Sequence, residues 1–361
     1  MYNTLWEKPK PEPCFRNWGA MCHMPHTFPR RRNRWLIVLP CAGSCALLLV
    51  SLILLWQSLL PPQPAFVPAA VETQPQPSKA IEARANCSVS YRYPDGAVCR
   101  KATYRLDELQ RGSLLLIDAE HPLPGDAPAP NTLAIAALGK GMIPVRDLSA
   151  KAGRETIAAL HQLFYHLRQN QIEGLAVCRG ALSEAEQRDW QLERVKLHSA
   201  GMSLEDALAA AQREVEAPGQ SEHQQGYAVD IRLYPTWSGA ADARPLERTA
   251  QGRALLQCAW RYGFIRRYPD ASDQEDKACH FRYVGLAHST AMTWLNLRLE
   301  DYLQLLHEKG VIQIHENGIP RYVIVCAPIV DGYASALIPE GTACEASSDN
   351  QGYAVIACTY E

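Results

Sequence analysis

Ten residues near the middle of the chain, Ser221-Glu222-His223-Gln224-Gln225-Gly226-Tyr227-Ala228-Val229-Asp230, hold an imidazole and a carboxylate seven positions apart. Gly226 lies between them and permits the sharp turn that would bring the two ends together. A second imidazole, His280, follows in Cys279-His280-Phe281-Arg282-Tyr283-Val284-Gly285. Two histidines and one carboxylate make a three-ligand zinc set whose fourth position is left to water or substrate, as a catalytic zinc requires. By themselves these residues also fit a hydrogen-bonded turn plus a separate core histidine, so both readings stand.

The elements around them are mixed. Asp230 falls in a strand-like apolar run over 228–233, so a loop histidine and a strand carboxylate converge if the turn is tight. Further runs at 113–118 and 281–284 also read as strands. A helix over 154–170 puts Ile157, Leu160, Leu163, Phe164 and Leu167 on one face. Ser183 with Glu186 is a capping-box signature opening the next helix, and Ser203 caps a third over 204–215. A fourth spans 249–262 and stops at Gly263; a fifth spans 299–309 and stops at Gly310. The last fifty residues change character. Runs at 311–314 and 322–325 flank the hairpin signal Asn317-Gly318, and strand-like runs follow at 333–338 and 353–358. No internal repeat is present.

Charge is distributed unevenly over the 361 residues. Residues 1–60 hold seven Lys/Arg and two Glu, net +5, so the overall −2 leaves −7 for residues 61–361. An acidic main domain excludes a nucleic-acid partner, which needs a positive surface. Residues 35–60 carry no charge and follow Arg30-Arg31-Arg32-Asn33-Arg34. This length spans a hydrocarbon core, and the arginines orient it with the basic tail inside. The apolar run exceeds the 7–15 residues of a cleaved signal core, so a retained anchor is expected. The expected organisation is a cytoplasmic tail (1–34), a transmembrane signal-anchor helix (35–60), a Pro-rich linker (61–84), a main domain (85–310) and a small β unit (311–361). Eight cysteines then lie outside the cell, where the close pairs Cys87/Cys99 and Cys344/Cys358 are disulfide candidates.

The pattern S-x-H-x-x-G-x-A-x-D, with Pro218-Gly219 just upstream, resembles the zinc signature of VanY-type D-alanyl-D-alanine carboxypeptidases. Tyr262-Gly263-Phe264-Ile265-Arg266-Arg267-Tyr268-Pro269 and the run from His280 to Gly285 are similar to later motifs of that family, in the same order. Residues 299–303, 112–122 and 349–353 extend the likeness, which covers roughly 105–361. The resemblance implies an α+β fold of the hedgehog/DD-peptidase type, with an antiparallel sheet and packed helices. It implies zinc held by His223, Asp230 and His280, and removal of a terminal D-alanine from peptidoglycan stem peptides outside the cell. Ser221 and Gln187 fall at substrate-contact positions.

Two departures bear on activity. The family carries a catalytic Glu three residues before the last zinc histidine, and here that slot is Lys277. A lysine at its ordinary pKa near 10.4 is protonated and cannot accept a proton from water at neutral pH. Glu275 and Asp276, just upstream, are the substitute bases. The family's substrate-anchoring Arg aligns with Leu182, leaving Arg179, three residues away, as the replacement. Cys279 stands where the family has an aromatic. As a fourth ligand it would close the metal site; as a disulfide partner or a small buried residue it would leave the site open.

Overall fold

The computed structural model describes residues 87–270 and 275–360, with side chains from 87 to 270 and from 277 to 360. The tail, anchor and linker expected over 1–34, 35–60 and 61–84 lie outside the described residues. Among those described, no helix is long and apolar enough to cross a membrane.

Two antiparallel sheets organise the chain. The first strands, β1 (Cys87–Ser90) and β2 (Cys99–Arg105), belong to a seven-stranded sheet completed by the end of the chain. A short pair, β3 (Thr132–Ala134) and β4 (Lys151–Gly153), leads into α1 (Arg154–Gln169). β5 (Leu175–Arg179) follows, then a helical hairpin of α2 (Glu184–Ser199) and α3 (Leu204–Glu214). Next come β6 (Ala228–Leu233), α4 (Ala250–Cys258), β7 (Phe264–Arg266) and β8 (His280–Tyr283). Strands β5, β6, β8 and β7 form a four-stranded sheet in that order. Helices α5 (Leu286–Leu295) and α6 (Leu299–Lys309) then lead to β9 (Val311–Glu316), β10 (Ile319–Val330), β11 (Tyr333–Pro339), β12 (Thr342–Ser348) and β13 (Tyr353–Tyr360).

Local chemistry accounts for most of these elements. α1 buries Ile157, Leu160, Leu163, Phe164 and Leu167, the stripe that its 3.6-residue spacing predicts, against Val229, Ile231 and Phe281 of the smaller sheet. The Ser183 capping box forms, with the Ser183 hydroxyl accepting from Glu186 N and the Glu186 carboxylate accepting from Ser183 N. α4 is shorter than expected: it ends at Cys258 and tightens into a 3-10 turn, Ala259–Tyr262, before Gly263. Asn317 and Gly318 both take positive φ, the requirement of a tight hairpin turn, between β9 and β10.

The structure corrects two expectations. Residues 113–118 are not a strand. Leu114–Ile117 are buried, but their backbone is held by side chains and by the β12–β13 turn: Leu114 N donates to Ser347 Oγ, and Leu116 N to Asp349 O. Cys87 and Cys99 do not pair with each other, because β1 lies on β9 and β2 on β11, at opposite ends of the sheet order. Cys344 and Cys358, directly opposed in the β12–β13 ladder, are disulfide-bonded.

The strands after residue 310 share the seven-stranded sheet with β1 and β2. A common core packs Leu114, Leu116, α5 and α6 against Ile312, Ile324 and Val355. Within that sheet the Cys344–Cys358 bond joins residues 14 positions apart. Closing a loop of this length removes denatured-state entropy worth about 3 kcal/mol. The double variant Cys344→Ser/Cys358→Ser should lower the urea midpoint, with an m-value no smaller than the parent's; an unchanged midpoint would show that the bond constrains nothing in the unfolded chain.

Candidate metal centre

Strand register builds the site. Across the smaller sheet, Arg179 of β5 pairs with Asp230 of β6, and Asp230 pairs with His280 of β8. These three side chains therefore stand in one row over three adjacent strands. His223 reaches the row from the 3-10 turn Glu222–Gln225, which Gly226 ends at φ +79°. Any side chain at 226 would be strained by that φ and would meet Thr132 Cγ2 at 2.9 Å. The Gly226 carbonyl accepts from Gly153 N at 2.8 Å and from Thr156 Oγ1 at 3.0 Å, fixing the turn to the start of α1.

Hydrogen bonds set the tautomers. His223 Nδ1 faces the Gly180 carbonyl at 2.8 Å, so it must donate, and Nε2 is left facing Asp230 Oδ1 at 3.3 Å. His280 Nδ1 is 3.0 Å from the same Oδ1, while its Nε2 is 3.2 Å from Glu222 Oε2. Ligand atoms of His223, Asp230 and His280 lie within 4.8 Å of one another, and all three residues are buried. Arg179 Nη1 donates to the other carboxylate oxygen, Asp230 Oδ2, at 2.9 Å.

Glu222, unremarked between Ser221 and His223 in the sequence, anchors a second layer. Its Oε1 accepts from Arg267 Nε at 2.8 Å and from Arg282 Nη1 at 2.5 Å, and Arg267 continues to Glu300 on α6. Burial would raise the Glu222 carboxyl, but the Arg282 and Arg267 charges override it and hold it well below the usual range. Asp230 behaves alike: burial opposes ionisation, and the charges and hydrogen bonds of His223 and His280 hold it well below the ordinary value. For His280, burial disfavours the cation, yet the bonds to Asp230 and Glu222 carry its pKa up to about 9. A site that keeps an imidazole protonated on both nitrogens is one that demands positive charge.

This geometry fits a zinc-type ion on its donor chemistry. His223 Nε2, an Asp230 oxygen and His280 Nδ1 are three convergent donors, and each histidine has its other ring nitrogen held by an oxygen acceptor.

The remaining sequence candidates are placed as follows. Ser221 and Gln187 are buried, and Ser221 Oγ and Gln187 Oε1 have no hydrogen-bond partner among the described residues. Such atoms are rare in folded proteins and call for a water, ion or ligand to complete them. Gln187 Nε2 donates to Glu216 O at 2.7 Å. Arg179 is committed to Asp230 and stacks on Trp190, with its guanidinium carbon 3.5 Å from the ring centroid. Glu275 and Asp276 lie in a single helical turn, Glu275–Ala278, ending just before His280; their side chains are outside the description.

Known proteins resemble this chain over the segment that carries the site. The profile of the VanY family, D-alanyl-D-alanine carboxypeptidase, matches residues 150–286. Over those residues this chain is similar to that family. A D-alanyl-D-alanine carboxypeptidase of Enterococcus faecium is 32% identical over 136 residues, which cover 37% of this chain and 42% of that enzyme. One from Enterococcus faecalis (strain ATCC 700802 / V583) is 30% identical over 200 residues, covering 54% of this chain and 66% of that enzyme. The chain thus spans less than two thirds of the length of either. The crystal structure of the D,D-dipeptidase VanXYg, in complex with a D-Ala-D-Ala phosphinate analogue, shares the fold: TM-score 0.59 over 73% of this chain and 99% of that one, at 21% identity.

The departures from the VanY pattern take physical form. Lys277 Nζ lies 5.6 Å from the Tyr268 ring centroid, and that ring is itself 5.6 Å from His280. Leu182 offers no charge, and its backbone N donates to the His223 carbonyl at 3.0 Å. Glu222, Arg267 and Arg282 escaped the sequence reading because a carboxylate beside a histidine carries no spacing signal of its own. Arg282 had one: at two residues from His280 on a strand, it shares that residue's face.

Removing the Glu222 contact should misorient His280. Glu222→Gln is expected to weaken zinc binding about 10–100-fold in a chelator competition; unchanged affinity would show that His280 is oriented by other groups. In the metal-free site His280 keeps its extra proton up to about pH 9. Metal binding must therefore expel one proton, and affinity should rise about tenfold per pH unit between pH 6 and 8. A flat profile over that range would contradict the assignment.

Proposed function

We propose that this chain is a zinc D-alanyl-D-alanine carboxypeptidase of the hedgehog/DD-peptidase type that trims peptidoglycan stem peptides. In this reading residues 35–60 hold it in the cell membrane with the tail 1–34 inside. The linker 61–84 spaces the catalytic domain (85–310) and the β unit (311–361) outside. The observation that carries the proposal is the convergence of His223, Asp230 and His280 with the outer ring nitrogen of each histidine held by an oxygen.

When bound there, zinc supplies Lewis-acid polarisation of the scissile carbonyl and acidifies the attacking water. The protein's own groups do the rest. Arg179 neutralises the outer oxygen of Asp230 and fixes its rotation, while Glu222 fixes the ring of His280. Ser221 Oγ and Gln187 Oε1, without a partner among the described residues, are the groups assigned to the substrate backbone. The general base is assigned to Glu275 or Asp276, whose backbone sits within one turn of His280. Glu222 is unsuited to act as the base, because two arginines occupy Oε1, His280 faces Oε2, and its depressed pKa makes it a weak proton acceptor.

One observation favours a second reading, in which the domain binds wall peptide without cleaving it. The slot of the family's base holds a lysine, and the substrate-anchoring position holds Leu182. The full-length chain in detergent, loaded with zinc, should release D-alanine from a pentapeptide ending in D-Ala-D-Ala. Chelator and His280→Ala should each abolish the release. No release, with peptide still bound, would establish the binding reading instead. In that case Lys277→Glu should create turnover, since a positioned base contributes about 10²–10⁴-fold.

A further inference from the structure

Three arginines surround the metal centre, and each is already committed to a carboxylate. Arg179 holds Asp230, Arg267 holds Glu222 and Glu300, and Arg282 holds Glu222. Lys277 is different. It is half-buried in the turn Glu275–Ala278, three residues before His280. Among the described residues its Nζ meets no carboxylate; it faces only the Tyr268 ring, 5.6 Å from the centroid. That ring lies in turn 5.6 Å from the His280 ring, so the ammonium stands within two such steps of a candidate ligand. A cation drawn partly out of water without a counter-charge loses hydration, and an aromatic face restores only part of it. An arriving anion would restore the rest.

We propose that Lys277 binds the terminal carboxylate of the peptide and so restricts the centre to substrates with a free C-terminus. The inference rests on the reading above, in which a peptide places its last amide at the metal ligands. In such a peptide the terminal carboxylate lies one residue beyond the scissile carbonyl, and one residue spans at most about 3.8 Å. Its anchor must therefore stand close beside the ligands. Leu182 offers no charge, and Arg179 could serve only by giving up the Asp230 oxygen it holds at 2.9 Å. Lys277 can turn from the Tyr268 face to a carboxylate without breaking an ion pair, because its point charge rides on a flexible stem with three rotatable donors. The slot that lost a base thus supplies the charge that the Leu182 slot lost. Peptides whose C-terminus continues or is amidated would gain nothing from this contact.

The test measures binding rather than turnover, by calorimetry on the full-length, zinc-loaded chain in detergent. The probe is a pentapeptide ending in D-Ala-D-Ala whose scissile amide nitrogen is replaced by a methylene group, so that it binds without being cleaved. Its twin carries a C-terminal carboxamide. The acid form should bind at least about tenfold more tightly than the carboxamide, the worth of a hydrogen bond to a charged group. Lys277→Met should erase that preference by weakening the acid form alone, and Lys277→Arg should keep most of it. The comparison of the two peptides on the unaltered chain needs no variant to fold. Equal affinities there would overturn the proposal. A preference that survives in Lys277→Met would also overturn it, by assigning the carboxylate to another cation. If neither peptide binds, the peptidase reading fails and the anchor falls with it. Lys277→Glu exchanges the anchor for a base, so any turnover it gains should come with a KM raised by the same factor.

Discussion

The buried carboxylate of Asp230 is the constraint on which this site depends. A charge at 1% exposure is tolerated only with partners that compensate its lost hydration. Asp230 has three, one from each direction: His280 on the neighbouring strand, Arg179 on the other, and His223 from the turn above. Remove the row and the two imidazoles have no common point. The alignment of β5, β6 and β8 is therefore not background to the site; it is the site.

Behind His280 the same logic runs outward. Glu222 takes the far side of the imidazole, Arg267 and Arg282 take Glu222, and Glu300 takes Arg267. Arg282, fully buried, spends its other donors on the carbonyls of Ser113 and Leu115. That irregular segment is in turn held by Ser347 and Asp349 of the larger sheet. A continuous chain of charge-assisted and backbone hydrogen bonds thus connects the C-terminal strands to the ring of a candidate metal ligand. This gives the C-terminal strands a physical role at the site: they position the segment that Arg282 grips.

The departures from the VanY pattern spare the three candidate ligands. The ligand trio and its supports are complete, while the proton-transfer slot holds Lys277 and the carboxylate-anchoring slot holds Leu182. Arg179 sits close by but already neutralises Asp230, so a substrate carboxylate would have to compete with that pair. In the proposed mechanism metal binding and proton transfer would accordingly draw on separate residues.

Much of this could be read without coordinates. The spacing of His223, Gly226 and Asp230, the stripe on α1, the caps at Ser183 and Ser203 and the Asn317-Gly318 turn are local, and local patterns express backbone geometry directly. The expectation of a strand at 113–118 failed because four consecutive apolar residues say only that a segment is buried. Whether its backbone pairs in a ladder depends on Ser347, Asp349 and Arg282, more than 160 positions away. The same limit hid Glu222: its neighbours in sequence gave no hint of the two arginines that ionise it or of the imidazole it faces. Residue order specified which groups were available and how each turn would bend. Pairing register between strands, which through backbone hydrogen bonds joins positions as distant as Cys99 and Pro339, chose which of those groups meet.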